Sequence, residues 1–381
     1  MSESSSGPTP GSEVSEFTVA VTQAVLDDLR ERLARTRWPD PSPTGDWAYG
    51  TELASLQQLC DYWQHEFDWR EVERRLNDFA QFTTTIRRQH VHFLHVRSPE
   101  PDALPLLLVH GWPGSVTEFL KVLGPLTDPA AYGGDPADAF HVVAPSIPGF
   151  GFSGSTSGPG VDVAEIAAIF AELMERLHYG RYGAQGGDWG SMISRWVGLQ
   201  EPGCVVGVHV NFLTAAPPDP SDPTAGVTSP QELEDLEYVA RYQVEETAYL
   251  QIQGTKPQSL AYGLTDSPAG LAAWILEKFR TWSDCDGDVE RAFTKDELLT
   301  NITLYWVTGT INSSMRIYYE SRRTGRSPQV PPPGSPLALH DSPRRSADPR
   351  GRGLKRQIRH CIIGRRCPGA ATSRQWKLLI F

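Results

Sequence analysis

The 381-residue sequence predicts an α/β protein: a mostly parallel sheet with helices on both faces, a helical insertion and a helical N-terminal region. Two observations carry this prediction. Apolar runs that end in Gly/Pro-rich loops recur at LPLLLVHGWPG (104–114) and FHVVAPSIPGFGFSG (140–154), as fully buried parallel strands do. Helix-periodic segments alternate with such runs, which is the pattern of strand–helix–strand units.

The elements follow in order. The first fifteen residues, rich in Ser, Gly and Pro, read as a disordered tail. Residues 16–103 form the N-terminal region. VTQAVLDDLRERLART places Val25, Leu26, Leu29 and Leu33 on one helical face. The segments TELASLQQLCDYWQHEF and DWREVERRLNDFAQF repeat that period, and TTTIRRQHVHFLHVRS reads as a hairpin. Residues 104–212 form the core: the two apolar strands, the helix VDVAEIAAIFAELMERLHY, the strand RYGAQ, a helix from Trp189, and the strand CVVGVHVNF. Residues 213–323 read as a helical lid, and residues 324–381 as a tail rich in Arg, Pro and Gly with no sustained period.

Composition narrows the function classes. Cys60, Cys204, Cys285, Cys361 and Cys367 are scattered with no C-x-x-C pair, which argues against a disulfide framework or a structural zinc site. No leader pattern and no apolar run of about 18 residues is present, so the chain reads as soluble and cytoplasmic, without a membrane anchor. Net charge is −11, yet residues 322–381 carry +12 and the remainder −23. A basic tail can bind nucleic acid. Here it has no interleaved aromatics and no known motif, and no nucleic-acid partner is expected.

The chemistry centres on Gly186-Gly187-Asp188-Trp189-Gly190. Glycines two before and two after a central residue permit a sharp strand-to-helix turn that exposes it. Hydrolases often place Ser there; this chain places Asp188 near a helix N-terminus, where negative charge is favoured. A carboxylate attacks carbon to form an ester, which suits a strained ring or a carbon–halogen bond. By itself G-x-D-x-G is equally a turn or cap motif. His110-Gly111-Trp112-Pro113-Gly114 ends an apolar strand where such folds supply an oxyanion-hole N–H. The backbone N–H groups of Trp112 and Trp189 are the expected pair, and His110 is expected to hold the turn.

Together these motifs resemble the microsomal-type epoxide hydrolases, including their juvenile-hormone relatives, across residues 16–322. The matching segments include DWAYG, DYWQHEFDWR, HGWPGS, PSIPGFGFSG, GGDWGS, YLQIQGTKPQSLAYGLTDSPAGLAAWILEKFRTW and LLTNITLYWVTGTINSSMRIYYES. The resemblance implies the α/β-hydrolase fold, a small apolar epoxide and water as substrates, no cofactor and no metal. It implies a vicinal diol as product and a role in detoxification or aromatic hydrocarbon catabolism. It makes Asp188 the nucleophile, and Tyr249 and Tyr318 the phenols that protonate the leaving alkoxide; Tyr319 is the weaker candidate for the second phenol.

The family completes turnover with a His and an acid that follow the lid, and here the sequence departs. No Gly-Gly-His-Phe motif follows residue 323; His340, His360, Asp341 and Asp348 are what remains, and HVNFLTAAP offers Asn211 where some relatives carry an acid. The tail reads as a shifted reading frame or a fault in the gene's assignment, and ester hydrolysis is expected to be impaired and to stall if no base is present. The rival readings are a haloalkane dehalogenase-like hydrolase and a catalytically dead ligand-binding remnant.

Three lesser signals are set aside. DCDGDVE lacks the spacing of a calcium loop. Asn301-Ile302-Thr303 is a glycosylation triplet in a chain with no secretory signal. His90, His92 and His95 read as a solvated strand face rather than a metal site.

Overall fold

The computed structural model describes residues 13–212 and 230–326 and the backbone of a short strand at 361–363. The N-terminal part contains β1 (Ser15–Phe17), α1 (Gln23–Ala34), α2 (Leu53–His65), α3 (Trp69–Asn77), β2 (Gln81–Ile86) and β3 (Gln89–Val96). The core continues with β4 (Leu104–Val109), α4 (Leu120–Thr127), β5 (Phe140–Pro145), α5 (Val163–Arg176), β6 (Tyr182–Gly186), α6 (Trp189–Gln200) and β7 (Val205–Val210). Six helices follow: α7 (Pro230–Glu245), α8 (Ala248–Thr255), α9 (Pro257–Asp266), α10 (Pro268–Trp282), α11 (Lys295–Thr308) and α12 (Ile311–Arg323). The last element among the described residues is β8 (Cys361–Ile363).

The sheet runs β1-β2-β3-β5-β4-β6-β7-β8. Its centre, β5-β4-β6-β7, is parallel, and the flanking pairs are antiparallel. Strand β4 shows why its continuous apolar run is needed. Leu107 and Val109 face one core with Val143 and Ala184; Leu106 and Leu108 face a second with Val142 and Ala144. All four β4 side chains are fully buried, which stabilises the centre by roughly 1.5–3 kcal/mol each.

The strand order fixes where a site can form. From β4 the chain moves to β5 on one side, then crosses back to lay β6 on the other side of β4. The loops that leave β4 and β6 therefore part in opposite directions, opening a crevice at the carboxyl ends of the strands. HGWPG leaves β4 and GGDWG leaves β6, so the two motifs meet there.

The α/β-hydrolase fold and the hairpin over Gln81–Val96 agree with the sequence reading. Three features differ from it. Ser15–Phe17 is a strand, paired with Gln81–Thr83, where a disordered tail leading straight into a helix was expected. Phe17 holds it by packing its ring on His92 (5.0 Å) and Phe152 (5.2 Å). Cys361–Ile363 pairs antiparallel with β7 within a tail that showed no strand period. Finally, His92 and His95 are buried rather than solvated. His92 bonds Ser146 Oγ (3.0 Å) and Gln81 Oε1 (2.9 Å), and His95 bonds the Tyr179 hydroxyl (2.9 Å). Burial pushes these imidazoles down to about 3 and about 4, so both are neutral hydrogen-bonding core residues. Cys60, Cys204 and Cys285 are free thiols.

Candidate active site

Asp188 sits at the tip of the β6–α6 turn with φ 49° and ψ −123°. Positive φ strains a residue with a side chain, and the flanking glycines explain how the turn closes around it. A Cβ on Gly186 would strike the Gly190 carbonyl, and one on Gly190 would strike the Val109 carbonyl. Glycine at both positions lets α6 start flush against β4 and β6.

The Asp188 side chain makes no cap hydrogen bond to its own helix beyond Trp189. Its Oδ1 accepts the Trp112 backbone N–H at 2.8 Å. A hydrogen bond from the Trp189 N–H also draws on the carboxylate and lowers its pKa. Burial outweighs both donors and raises the Asp188 carboxyl to about 6. The residue keeps partial exposure, so it is enclosed but not sealed.

The loop that carries Trp112 is braced from beneath and from above. His110 is fully buried; its Nε2 accepts the Ile147 N–H (3.1 Å) and its Nδ1 lies 3.0 Å from the Gly111 carbonyl. That geometry makes His110 a support for the turn. Burial lowers its pKa to about 4, which keeps it neutral. From α11, Asn301 Nδ2 donates to the Pro113 carbonyl (2.6 Å) and the Tyr305 hydroxyl donates to the Gly114 carbonyl (2.8 Å). Ser115 Oγ donates to Asn301 Oδ1 (2.9 Å), and the Trp112–Pro113 peptide is cis. Asn301 is thus buried and occupied, which explains why its glycosylation triplet carries no accessible acceptor.

Tyr249 on α8 and Tyr318 on α12 close over this loop. Tyr249 stacks on Trp112 with centroids 5.5 Å apart and planes at 9°. Tyr318 meets Trp112 edge-on at 5.8 Å and Trp189 at 4.7 Å. The two tyrosine rings are 6.0 Å apart. Both phenols are held well above their ordinary pKa, first by burial and then by charges that include Asp188. They are therefore neutral donors at neutral pH. The Tyr318 hydroxyl is buried beside the Trp189 indole N–H and the Tyr249 hydroxyl, and neither gives it a well-formed hydrogen bond, which leaves it free to turn to a substrate oxygen. Tyr319, next in the helix, lies outside the cluster beneath Arg323.

The structure thus brings Asp188, Trp112, Trp189, Tyr249 and Tyr318 together. It also adds residues that sequence reasoning missed. Tyr242 near the end of α7 is a third phenol whose pKa is raised by burial and by Asp188. Lys278, buried on α10, holds its ammonium 4.9 Å from the Tyr249 ring centre and 2.5 Å from Glu277. Glu118, after the HGWPGS motif, senses Asp188 electrostatically. Asn211 sits beside the elbow, where its Oδ1 occupies the space a Cβ on Gly187 would need. His340, Asp341, Asp348 and His360 lie outside the described residues. A cavity of about 690 Å³ opens beside the cluster, with Tyr249, Trp47 and Lys278 in its wall. Among the described residues no group of His, Cys, Asp and Glu forms a metal cage, and no helix is long and apolar enough to cross a membrane.

The family description "epoxide hydrolase N terminus" matches residues 14–119, and "alpha/beta hydrolase fold" matches residues 105–304. The chain is 38% identical to epoxide hydrolase 1 of Oryctolagus cuniculus over 332 residues, covering 81% of this chain and 73% of that protein. It is 46% identical over 308 residues to a Stigmatella aurantiaca protein also named for that activity, covering 81% and 69%. Among solved structures it superimposes on juvenile hormone epoxide hydrolase of Bombyx mori with a TM-score of 0.70, at 35% identity over 83% of this chain and 77% of that one. The Aspergillus niger epoxide hydrolase gives 0.72 at 31% identity, covering 82% and 80%. The protein belongs to the epoxide hydrolases of the α/β-hydrolase fold and is, by that resemblance, a hydrolase.

Proposed function

We propose that Asp188 opens a small apolar epoxide by direct attack, giving an ester that water then cleaves to a vicinal diol. The observation that carries this reading is the placement of one carboxylate between two backbone N–H groups and beneath two neutral phenols.

Asp188 attacks a ring carbon and the carbon–oxygen bond breaks. A phenol, Tyr249 or Tyr318, passes its proton to the leaving oxygen, so that no free alkoxide has to form. As the Asp188 charge is consumed, its upward pull on both phenols disappears, and they give up a proton more readily as the reaction proceeds. The oxygen held by Trp112 becomes the ester carbonyl. When water adds, that oxygen takes the negative charge against the same two N–H groups, each worth roughly 3–4 kcal/mol in comparable sites.

A second reading, displacement of halide from a haloalkane, draws on the indole Nε1–H groups of Trp112 and Trp189. Both are buried without a well-formed hydrogen bond among the described residues, the Trp189 group lying beside the Tyr318 hydroxyl. That chemistry gives the paired phenols no task. Incubation with an aryl epoxide and, separately, a chloroalkane separates the readings: diol without chloride release supports the first, and chloride release without diol supports the second. A ligand-binding remnant would yield neither product. Operation in the cytoplasm, in detoxification or catabolism, belongs to the same proposal and is checked by cell fractionation.

A further inference from the structure

A buried ammonium is costly unless an opposite charge or a ring face lies against it. Lys278 is 5% exposed and has both, yet ring opening as read above gives it no part. We propose that Lys278 is a positioning residue for ring opening: its ammonium stabilises the tyrosinate that Tyr249 becomes on giving its proton to the epoxide oxygen. The inference rests on the reading of Asp188 as the nucleophile.

Two helices set the contact. Tyr249 lies in the first turn of α8, and Lys278 in the last turns of α10, a helix anchored by buried Leu271, Ala272, Ile275 and Leu276. Trp274 Nε1 on α10 donates to Gln253 Oε1 on α8 at 3.0 Å and ties the two helices together. Tyr249 precedes Gln253 by four residues and Lys278 follows Trp274 by four, so each lies one helical turn from that bond. The ammonium sits 4.9 Å from the Tyr249 ring centre and 5.6 Å from that of Trp282. Trp112, Trp282 and Tyr318 pack against Tyr249 at 5.5, 5.2 and 6.0 Å and hold the phenol beside the cation.

The ion pair is oriented. Glu277 lies 2.5 Å from the lysine. The Glu277 charge is felt by Tyr242 and Glu246, so the negative end of the pair faces the end of α7 and the residue after it. The positive end faces Tyr249 and Trp282.

Ring opening moves a charge across the site. Asp188 forms the ester bond and becomes neutral, the carbon–oxygen bond of the ring breaks, and the Tyr249 proton passes to that oxygen. One negative charge leaves the two backbone N–H groups and arrives on the Tyr249 oxygen; Lys278 keeps its protons throughout. Burial, the first cause that holds Tyr249 above its ordinary pKa, persists after Asp188 is consumed and opposes that arrival. A nearby cation offsets the penalty of an anion in a buried site. Attraction between an ammonium and a ring face gives way to attraction between opposite charges, so Lys278 favours the transition state over the ground state. The charges that Tyr318 feels, from Tyr249, Asp188 and Tyr305, all oppose its ionisation. Tyr249 is therefore the better seat for the charge, and Tyr318 shares the transfer by bonding the same oxygen. Tyr249, Glu277 and Lys278 line the cavity of about 690 Å³, from which solvent returns the proton.

Rapid-quench intact-mass measurement of adduct growth with styrene oxide tests the proposal, with circular dichroism to check each fold. Lys278→Met should slow adduct growth by about 10-fold, and no more than Tyr249→Phe does. Glu277→Gln combined with Lys278→Met removes both charges, leaves no unpaired carboxylate, and should show the same loss. Lys278→Arg keeps the cation and should stay within about 3-fold of wild type. In a Tyr249→Phe background, Lys278→Met should cause no further loss, because the hydroxyl through which it acts is gone. Adduct growth at the wild-type rate in the doubly neutralised variant overturns the assignment. An equal loss from Lys278→Met in the Tyr249→Phe background makes the lysine a shaper of the site and also overturns it. No adduct in wild type would instead sink the reading of Asp188, and this inference with it.

Discussion

The backbone N–H of Trp112 donates to Oδ1 of Asp188 at 2.8 Å, so the resting nucleophile already occupies the place where negative charge returns during ester cleavage. One carboxylate oxygen is tethered, which leaves the other to attack. Gly111→Ala should break this arrangement, because the added methyl collides with the Asp188 side chain. Adduct formation should fall by about 10²–10³-fold, the loss seen when one such donor is removed. Intact-mass kinetics read the rate, and circular dichroism checks that the fold survives.

Tyr249 and Tyr318 approach the same indole, that of Trp112, from two helices, and the account gives both a share of one proton transfer. Single changes to Phe should slow adduct formation by about 10-fold or more, and the double change by about 10³-fold. Release of a preformed ester should change less, since that step uses the backbone donors and a base. Separate measurement of adduct growth and decay under single-turnover conditions checks the split.

Burial raises Asp188 to about 6, and two consequences follow with opposite signs. The nucleophile is the ionised form, so the adduct rate should fall as pH drops through 6 and level off above it. For stability, a carboxyl raised in the fold favours the native state below its unfolded value of about 3.9, and that advantage is lost as pH rises through 6. Asp188→Asn never ionises. It should therefore match wild type near pH 4 and exceed it above pH 6 by roughly 1–3 kcal/mol, read from urea melts at both pH values. The same variant should form no adduct, which would show a nucleophile held at a cost to stability.

Asp188, Trp112 and Trp189 were legible because each belongs to a local motif whose backbone geometry is set by neighbouring glycines. The strands beneath them were legible because β4 and β5 are apolar on both faces. His92 and His95 were misread because alternation reveals a strand but not which face meets the core; here Gln81, Ser146 and Tyr179 supply the partners that let imidazoles be buried. The strands Ser15–Phe17 and Cys361–Ile363 are three residues long, too short for any period to register. Tyr305 and Glu118 went unnoticed, and Asn301 was noticed only as part of a glycosylation triplet, because their importance lies in contacts with the HGWPGS segment. Asn301 and Tyr305 reach it from 186 and more residues away, which spacing alone does not encode.

The most direct measurement exposes wild-type protein to styrene oxide, quenches in acid within seconds and maps the peptides by mass spectrometry. The account predicts one added epoxide mass on the peptide carrying Asp188, localised to that side chain and absent from Asp188→Asn. Diol formation with Asp188 unmodified at every time point, or an adduct confined to another residue, would contradict it.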